Sequence, residues 1–130
     1  MEMNYLAIVV AVVLAFVAST VWYIVFGAEG ERLLGREGGV AERPPVWMVL
    51  VELVRSLVVA SVISVLFGFV GVVGIIGAIG LGLLMWVGFP VVLLVGSVVW
   101  DGVAGKLAAI HAGDWLVKLI LISIIVGLWR

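Results

Sequence analysis

Residues 56–100 read SLVVASVISVLFGFVGVVGIIGAIGLGLLMWVGFPVVLLVGSVVW, without one Asp, Glu, Lys, Arg or His. A bilayer's hydrocarbon is about 30 Å thick and a helix rises about 1.5 Å per residue, so one crossing takes roughly 20 residues and this stretch holds two. Strands can also cross a bilayer, but barrel strands alternate apolar and polar residues, whereas here the apolar residues fall on every face. The stretch is therefore read as two transmembrane helices joined by a glycine-bearing turn at 68–71. So short a turn predicts that the two helices pack as antiparallel neighbours.

Outward from this stretch the pattern repeats. The chain is 66% hydrophobic and 12% charged, with a mean hydropathy of +1.45, far more apolar than a soluble domain keeps in water. A first span is expected over about 5–26, with Asn4 as its N-cap. Its flank carries Glu2 and no basic residue, its apolar run is long, and more spans follow, so it reads as a retained helix, not a signal peptide. The segment 27–45 is the one polar loop; a short lipid-surface helix over about 28–34 would suit it, and Pro44-Pro45 ends it. The second span is placed at about 46–67, the third at about 74–100 and the fourth at about 106–129. The fold class is thus an all-α membrane protein, a four-transmembrane-helix bundle that makes one domain of residues 1–130.

Charge narrows the partners. Seven basic against eight acidic residues, with no basic patch interleaved with aromatics, argue against nucleic acid. The absence of Cys excludes disulfides and thiolate metal sites, and one His among scattered acids is no metal motif, so no cofactor is implied. Arg32, Arg36, Arg43 and Lys106 fall at one end of the spans and Arg130 at the other. Basic loops stay cytoplasmic, which predicts both termini outside. The partners expected are the lipid bilayer and a second copy or another membrane protein.

The chemistry lies in the ionisable residues inside spans, since each costs roughly 2.5 to 3.5 kcal/mol at a helix centre. Glu52, Arg55 and Ser56 form one stripe on span two, and His111, Asp114 and Lys118 lie within about 60° of one another on span four. Both stripes are expected to face inward. Counted from the loop end, Glu52 and Arg55 lie roughly 9 and 13 Å deep and His111, Asp114 and Lys118 roughly 8, 12 and 18 Å deep, so the stripes are expected to meet in one network. Ser19, Thr20, Tyr23 and Ser97 stand near the same ends of spans one and three. Together these predict a polar cavity open toward the loops. The pairs Glu52 with Arg55 and Asp114 with Lys118 suit structural ion pairs, and equally a site for a proton, an ion or a small solute with His111 as the group that titrates near neutral pH.

On span three, Gly74, Ala78 and Gly82 are small residues four apart, a helix-packing seam. Pro90 lacks an amide proton and frees the Trp86 carbonyl, which predicts a bend. Trp22, Trp47, Trp100 and Trp129 are read as an interfacial belt, and Trp86 and Trp115 as deeper packing residues.

Four stretches carry a resemblance: Asn4-Tyr5-Leu6-Ala7; Trp22-Tyr23 followed by Phe26-Gly27; Gly82 with Trp86 to Phe89; and His111-Ala112-Gly113-Asp114-Trp115-Leu116-Val117 leading to Gly127-Leu128-Trp129. On these the chain resembles, over essentially its whole length, the small prokaryotic membrane-protein family known as domain of unknown function 1761. The resemblance implies a compact four-helix protein of the cell membrane and brings no activity with it. Where relatives often have Asp-Ala-Gly-Tyr-Trp, this chain has His111-Ala112-Gly113-Asp114-Trp115, so its polar residues are placed differently. Two functions follow from the residues: an oligomeric transporter or channel-like protein working through the polar cluster, or a structural or accessory protein docking partners through the glycine-rich helix. No nucleophile with its base and no nucleotide motif can be assembled, so an enzyme is not expected.

Overall fold

A computed structural model describes residues 4–33, 45–71 and 74–129, with the backbone alone described over 28–33. The elements are α1 (Tyr5–Leu33), α2 (Val46–Val70), α3 (Gly74–Trp86), a π-helical turn (Val87–Val91), α4 (Val92–Asp101) and α5 (Gly105–Leu128), with no strand among the described residues. α3, the π turn and α4 run on from one another, so four rods are long and apolar enough to cross a membrane: Tyr5–Gly27, Val46–Val70, Gly74–Asp101 and Gly105–Leu128.

The helix ends have local causes. The Asn4 side-chain oxygen accepts the Ala7 amide at 3.1 Å, capping α1. Pro45 holds extended backbone (φ −60°, ψ 152°) and its carbonyl accepts the Met48 amide at 3.0 Å, starting α2. α2 passes through Gly68 and stops only at Gly71, whose φ of 72° is left-handed and whose amide reaches the Phe67 carbonyl at 3.1 Å. The helix therefore runs through most of the turn expected at 68–71, up to its last glycine, and the span is longer than 46–67. Likewise α1 continues as helix to Leu33, so the polar segment expected from residue 27 begins inside a helix. The rest of that loop, with Arg36 and Arg43, lies outside the described residues, as does Arg130. At Pro90 the ring crowds the carbonyl four residues back and no amide closes the ladder, and the helix widens there into the π turn.

α5 is the shared neighbour. It packs against α1, α2, α3 and α4, and α1 also packs against α2. Among the described residues α2 and α3 do not pack on each other, so the neighbours expected from their short connection each lean on α5 instead. Glycines explain why. A Cβ on Gly127 would come within 2.6 Å of the Phe67 ring, so that glycine leaves the slot in which α2 docks. A Cβ on Gly82 would stand 3.2 Å from the Leu119 carbonyl oxygen and 3.3 Å from Ile120 Cα, so α3 meets the α5 backbone itself. Ala78 and Gly82 are buried in this seam, but Gly74 is not part of it: it is exposed, has φ 83°, and serves the turn that starts α3.

The core occupies the end of the bundle away from the polar loop. Ile8, Ala11, Val12 and Ala15 of α1 meet Ala60, Ile63 and Phe67 of α2, Ala78 of α3, and Leu119, Ile122 and Val126 of α5. In lipid, apolar burial gives helices little reason to associate, and small residues that permit close van der Waals contact take over that role. Ala7, Ala11 and Ala15, each almost wholly buried and spaced four apart, do this for α1.

Candidate functional site

Toward the loop end the apolar seam between α1 and α5 gives way to polar side chains. Ser19 and Tyr23 are one turn apart on α1, and His111, Asp114 and Lys118 lie on successive turns of α5. Asp114 is 3% exposed and Lys118 7%. The Asp114 carboxylate accepts the Ser19 hydroxyl at 2.8 Å on Oδ1, and the Lys118 ammonium at 2.9 Å and the Tyr23 hydroxyl at 3.3 Å on Oδ2. The Tyr23 oxygen also lies 2.8 Å from His111 Nδ1. Lys118 Nζ sits 4.9 Å from the centre of the Trp115 ring, whose negative face adds a second contact to the cation.

Two indoles fix the stretch of α5 that carries these groups. From α1, Trp22 Nε1 donates to the Ile110 carbonyl at 3.0 Å; from α3, Trp86 Nε1 donates to the Ala112 carbonyl at 2.8 Å. A helical carbonyl keeps a second lone pair after its ladder bond, so these bonds cost the helix nothing. Gly113 makes room for the first: a Cβ there would lie 2.3 Å from Trp22 Cζ2. Trp22 thus leaves the expected belt for the interior, while Trp47, Trp100 and Trp129 remain exposed. Trp22 and Gly113 were not legible as a unit, because a Trp near a span end reads as an anchor and a Gly in a span reads as helix contact.

Of the residues singled out in the sequence, the structure brings together Ser19, Tyr23, His111, Asp114 and Lys118. Thr20 turns away and bonds the Phe16 carbonyl at 2.8 Å, and Ser97 bonds the Leu93 carbonyl at 3.2 Å, each within its own helix. Ser56 is buried on the inner face of α2 with Ala60, Ile63, Ser64 and Phe67. Glu52 and Arg55 form an ion pair with each other, and their side chains stay 43% and 55% exposed. The inward stripe expected for them is only partly met: at about 100° per residue Arg55 stands about 140° from Ala60, outside the buried face, whereas Glu52 stands at its edge, about 20° from buried Ile63. The two acid–base pairs are therefore not joined by a direct bond. The Asp114 carboxylate is enclosed by its own partners, Ser19, Tyr23 and Lys118. A groove of about 290 Å³ lies elsewhere, between Val91, Leu94, Val95 and Val98 and the small residues Ala108 and Ala112, and its lining is apolar.

The arrangement holds a carboxylate and an ammonium inside the bundle, with a phenol and an imidazole leading from the carboxylate toward the loop end. The chain matches, over residues 6–127, the family model described as protein of unknown function (DUF1761). It belongs to this family. No curated protein and no solved structure matches it. The DUF1761 match spans all four apolar rods, so Ser19, Tyr23, His111, Asp114 and Lys118 all fall within the family's own region.

Proposed function

We propose that this DUF1761 protein is a small proton-handling transporter or channel-like membrane protein, not an enzyme, and that His111, Tyr23, Asp114 and Lys118 are its working groups. One observation carries the reading: a single Tyr23 hydroxyl stands within hydrogen-bond distance of both His111 Nδ1 and Asp114 Oδ2. A phenol has one proton to give. With Nδ1 unprotonated, the phenol donates to His111. When Nδ1 carries a proton, the imidazole donates to the phenol oxygen, and the phenol proton turns to Asp114. A proton arriving at the partly exposed imidazole can then pass inward by exchange: His111 gives its proton to the Tyr23 oxygen as Tyr23 gives its own to the carboxylate. His111 ends neutral, Tyr23 unchanged and Asp114 protonated. Lys118 then faces a neutral acid, and a cation buried without its counter-charge is held only at a cost of several kcal/mol. Proton entry is thereby coupled to release of the pair that ties Lys118 down. On this reading the glycine-rich helix packs within the chain, where Gly82 meets the α5 backbone and Ala78 is buried.

The test is proton flux into liposomes that hold the purified protein and a trapped pH-sensitive dye, driven by a potassium diffusion potential. Wild-type protein is expected to acidify or alkalinise the lumen faster than empty liposomes, and Tyr23→Phe to slow this at least tenfold. The Asp114→Asn, Lys118→Met double variant, which removes both charges together, is expected to abolish it. Wild-type flux no faster than empty liposomes, or a folded double variant with wild-type flux, overturns the reading and leaves the cluster as a structural ion pair.

A further inference from the structure

Glu52 and Arg55 bond each other and not the relay, yet they stand beside it. α2 and α5 run in the same direction, and Phe67 of α2 packs against Gly127 of α5. Counting back along both helices puts Glu52 and Arg55 at about the heights of Ala112 and Trp115, level with buried Asp114. α1, α2 and α5 pack on one another pairwise, and Tyr23 crosses from α1 to α5 at this level. Glu52 stands at the margin of the buried face of α2, and both it and Arg55 lie within electrostatic reach of the Tyr23 phenol. The two acid–base pairs, though not bonded, therefore share one junction of three helices.

What these groups face follows from their exposure and their depth. The Glu52 and Arg55 side chains are 43% and 55% exposed, Tyr23 is 36% exposed and His111 is half-buried, whereas Asp114 beside them is enclosed. Glu52 lies about 8 Å and Arg55 about 12 Å along the axis from Trp47, which stands at the loop end of α2. Ionised groups at such depth face protein or water, not acyl chains. An Arg stem is long enough to snorkel toward headgroups, but the short Glu stem keeps its carboxylate at the depth its helix sets. On the opposite side of α2, about 160° round from Glu52, Val54 is 58% exposed at the same depth and suits lipid.

We infer that Glu52 and Arg55 line a water-filled entrance beside the α1–α2 seam, leading from the loop end to His111 and Tyr23. The pair keeps the passage hydrated, and because its two charges offset each other it traps an ion of neither sign. Hydronium or a small buffer acid reaches the imidazole this way. That use rests on the relay proposed above, whereas the entrance itself does not.

The chain has no Cys, so single cysteines report water without background. A thiol reacts as its thiolate, which forms in water and not among acyl chains. In membranes opened to reagent on both sides, Glu52→Cys and Arg55→Cys are each expected to react with sulfonatoethyl methanethiosulfonate at least tenfold faster than Val54→Cys. Either pair variant reads the entrance by itself, so misfolding of one leaves the test standing. His111 is the chain's one His, and its modification by diethyl pyrocarbonate, located by mass spectrometry, shows whether the entrance leads there. Loading the Glu52→Cys thiol with the sulfonate reagent is expected to slow that modification at least fivefold. The trimethylammonium analogue is expected to slow it as much, since occlusion does not depend on the sign of the charge. Pair variants no more reactive than Val54→Cys, or His111 modified at an unchanged rate after loading, would overturn the inference and leave Arg55 snorkelling to headgroups with Glu52 as its counter-ion. Neither measurement needs proton flux: a wild-type protein without flux sinks the relay alone, and flux with unreactive thiols sinks the entrance alone.

Discussion

Asp114 divides its lone pairs among three donors, and the groups differ in what their loss leaves behind. Removing Ser19 or Tyr23 takes away one hydrogen bond of about 1.5 to 3 kcal/mol to a charged acceptor. Removing Lys118 strands a buried carboxylate, which typically costs about 3 to 5 kcal/mol. Lys118→Met is therefore expected to destabilise the protein in detergent by about 3 kcal/mol. Asp114→Asn is expected to cost a similar amount by stranding the ammonium over Trp115. The double variant removes both charges and keeps side chains of similar volume, and it is expected to be more stable than either single variant, so the two losses are far from additive. Thermal unfolding of the four proteins in one detergent measures this. Additive losses would show that the 2.9 Å contact is not an energetic pair.

For α5 as an element, three glycines predict a graded series. Gly113→Ala would drive a Cβ to 2.3 Å from the Trp22 ring, so the indole must move and its bond to the Ile110 carbonyl is lost. Gly127→Ala meets the Phe67 ring at 2.6 Å, whereas Gly105, at the start of the helix, has nothing within 4 Å. Losses of about 1 to 3 kcal/mol are expected at Gly113 and Gly127, and none at Gly105, in the same unfolding assay. These glycines also mark the limit of what the sequence discloses. The spans were legible, because no other solvent accepts so long an uncharged run, and so were the caps at Asn4 and Pro45. Ser19, Tyr23, His111, Asp114 and Lys118 were legible too, because polar groups inside an apolar span need partners. Which helices touch was not, since spans apolar on all sides carry no stripe to orient them. The short connection from α2 to α3 therefore misled, and Glu52 and Arg55 were turned inward, although the docking of Phe67 and Ala60 on α5 decides which arc of α2 is buried. Gly71 and Gly68 looked alike as turn residues, and only the left-handed backbone at Gly71 separates them.

At the scale of the whole molecule, the relay has a direction only once the bundle has an orientation. The bonds from Ser19, Trp22 and Tyr23 to the stretch 110–114 place the far end of α1 beside the start of α5. Lys106 therefore lies at the same end of the bundle as the segment that carries Arg32, Arg36 and Arg43. Four basic residues at this end against Arg130 at the other favour a cytoplasmic position for it, because Lys and Arg in short loops resist translocation. His111 lies five residues into the membrane from Lys106, about 8 Å along the helix, whereas Lys118 lies about 18 Å from it. On this orientation the imidazole loads from the cytoplasm and the ammonium faces the deeper, apolar half. Single cysteines at positions 36 and 130 in intact cells decide it with an impermeant maleimide: labelling is expected at 130 and, before the cells are opened, not at 36. The reverse pattern would put the mouth of the relay outside the cell, and the same protein would then take up its proton from the external medium.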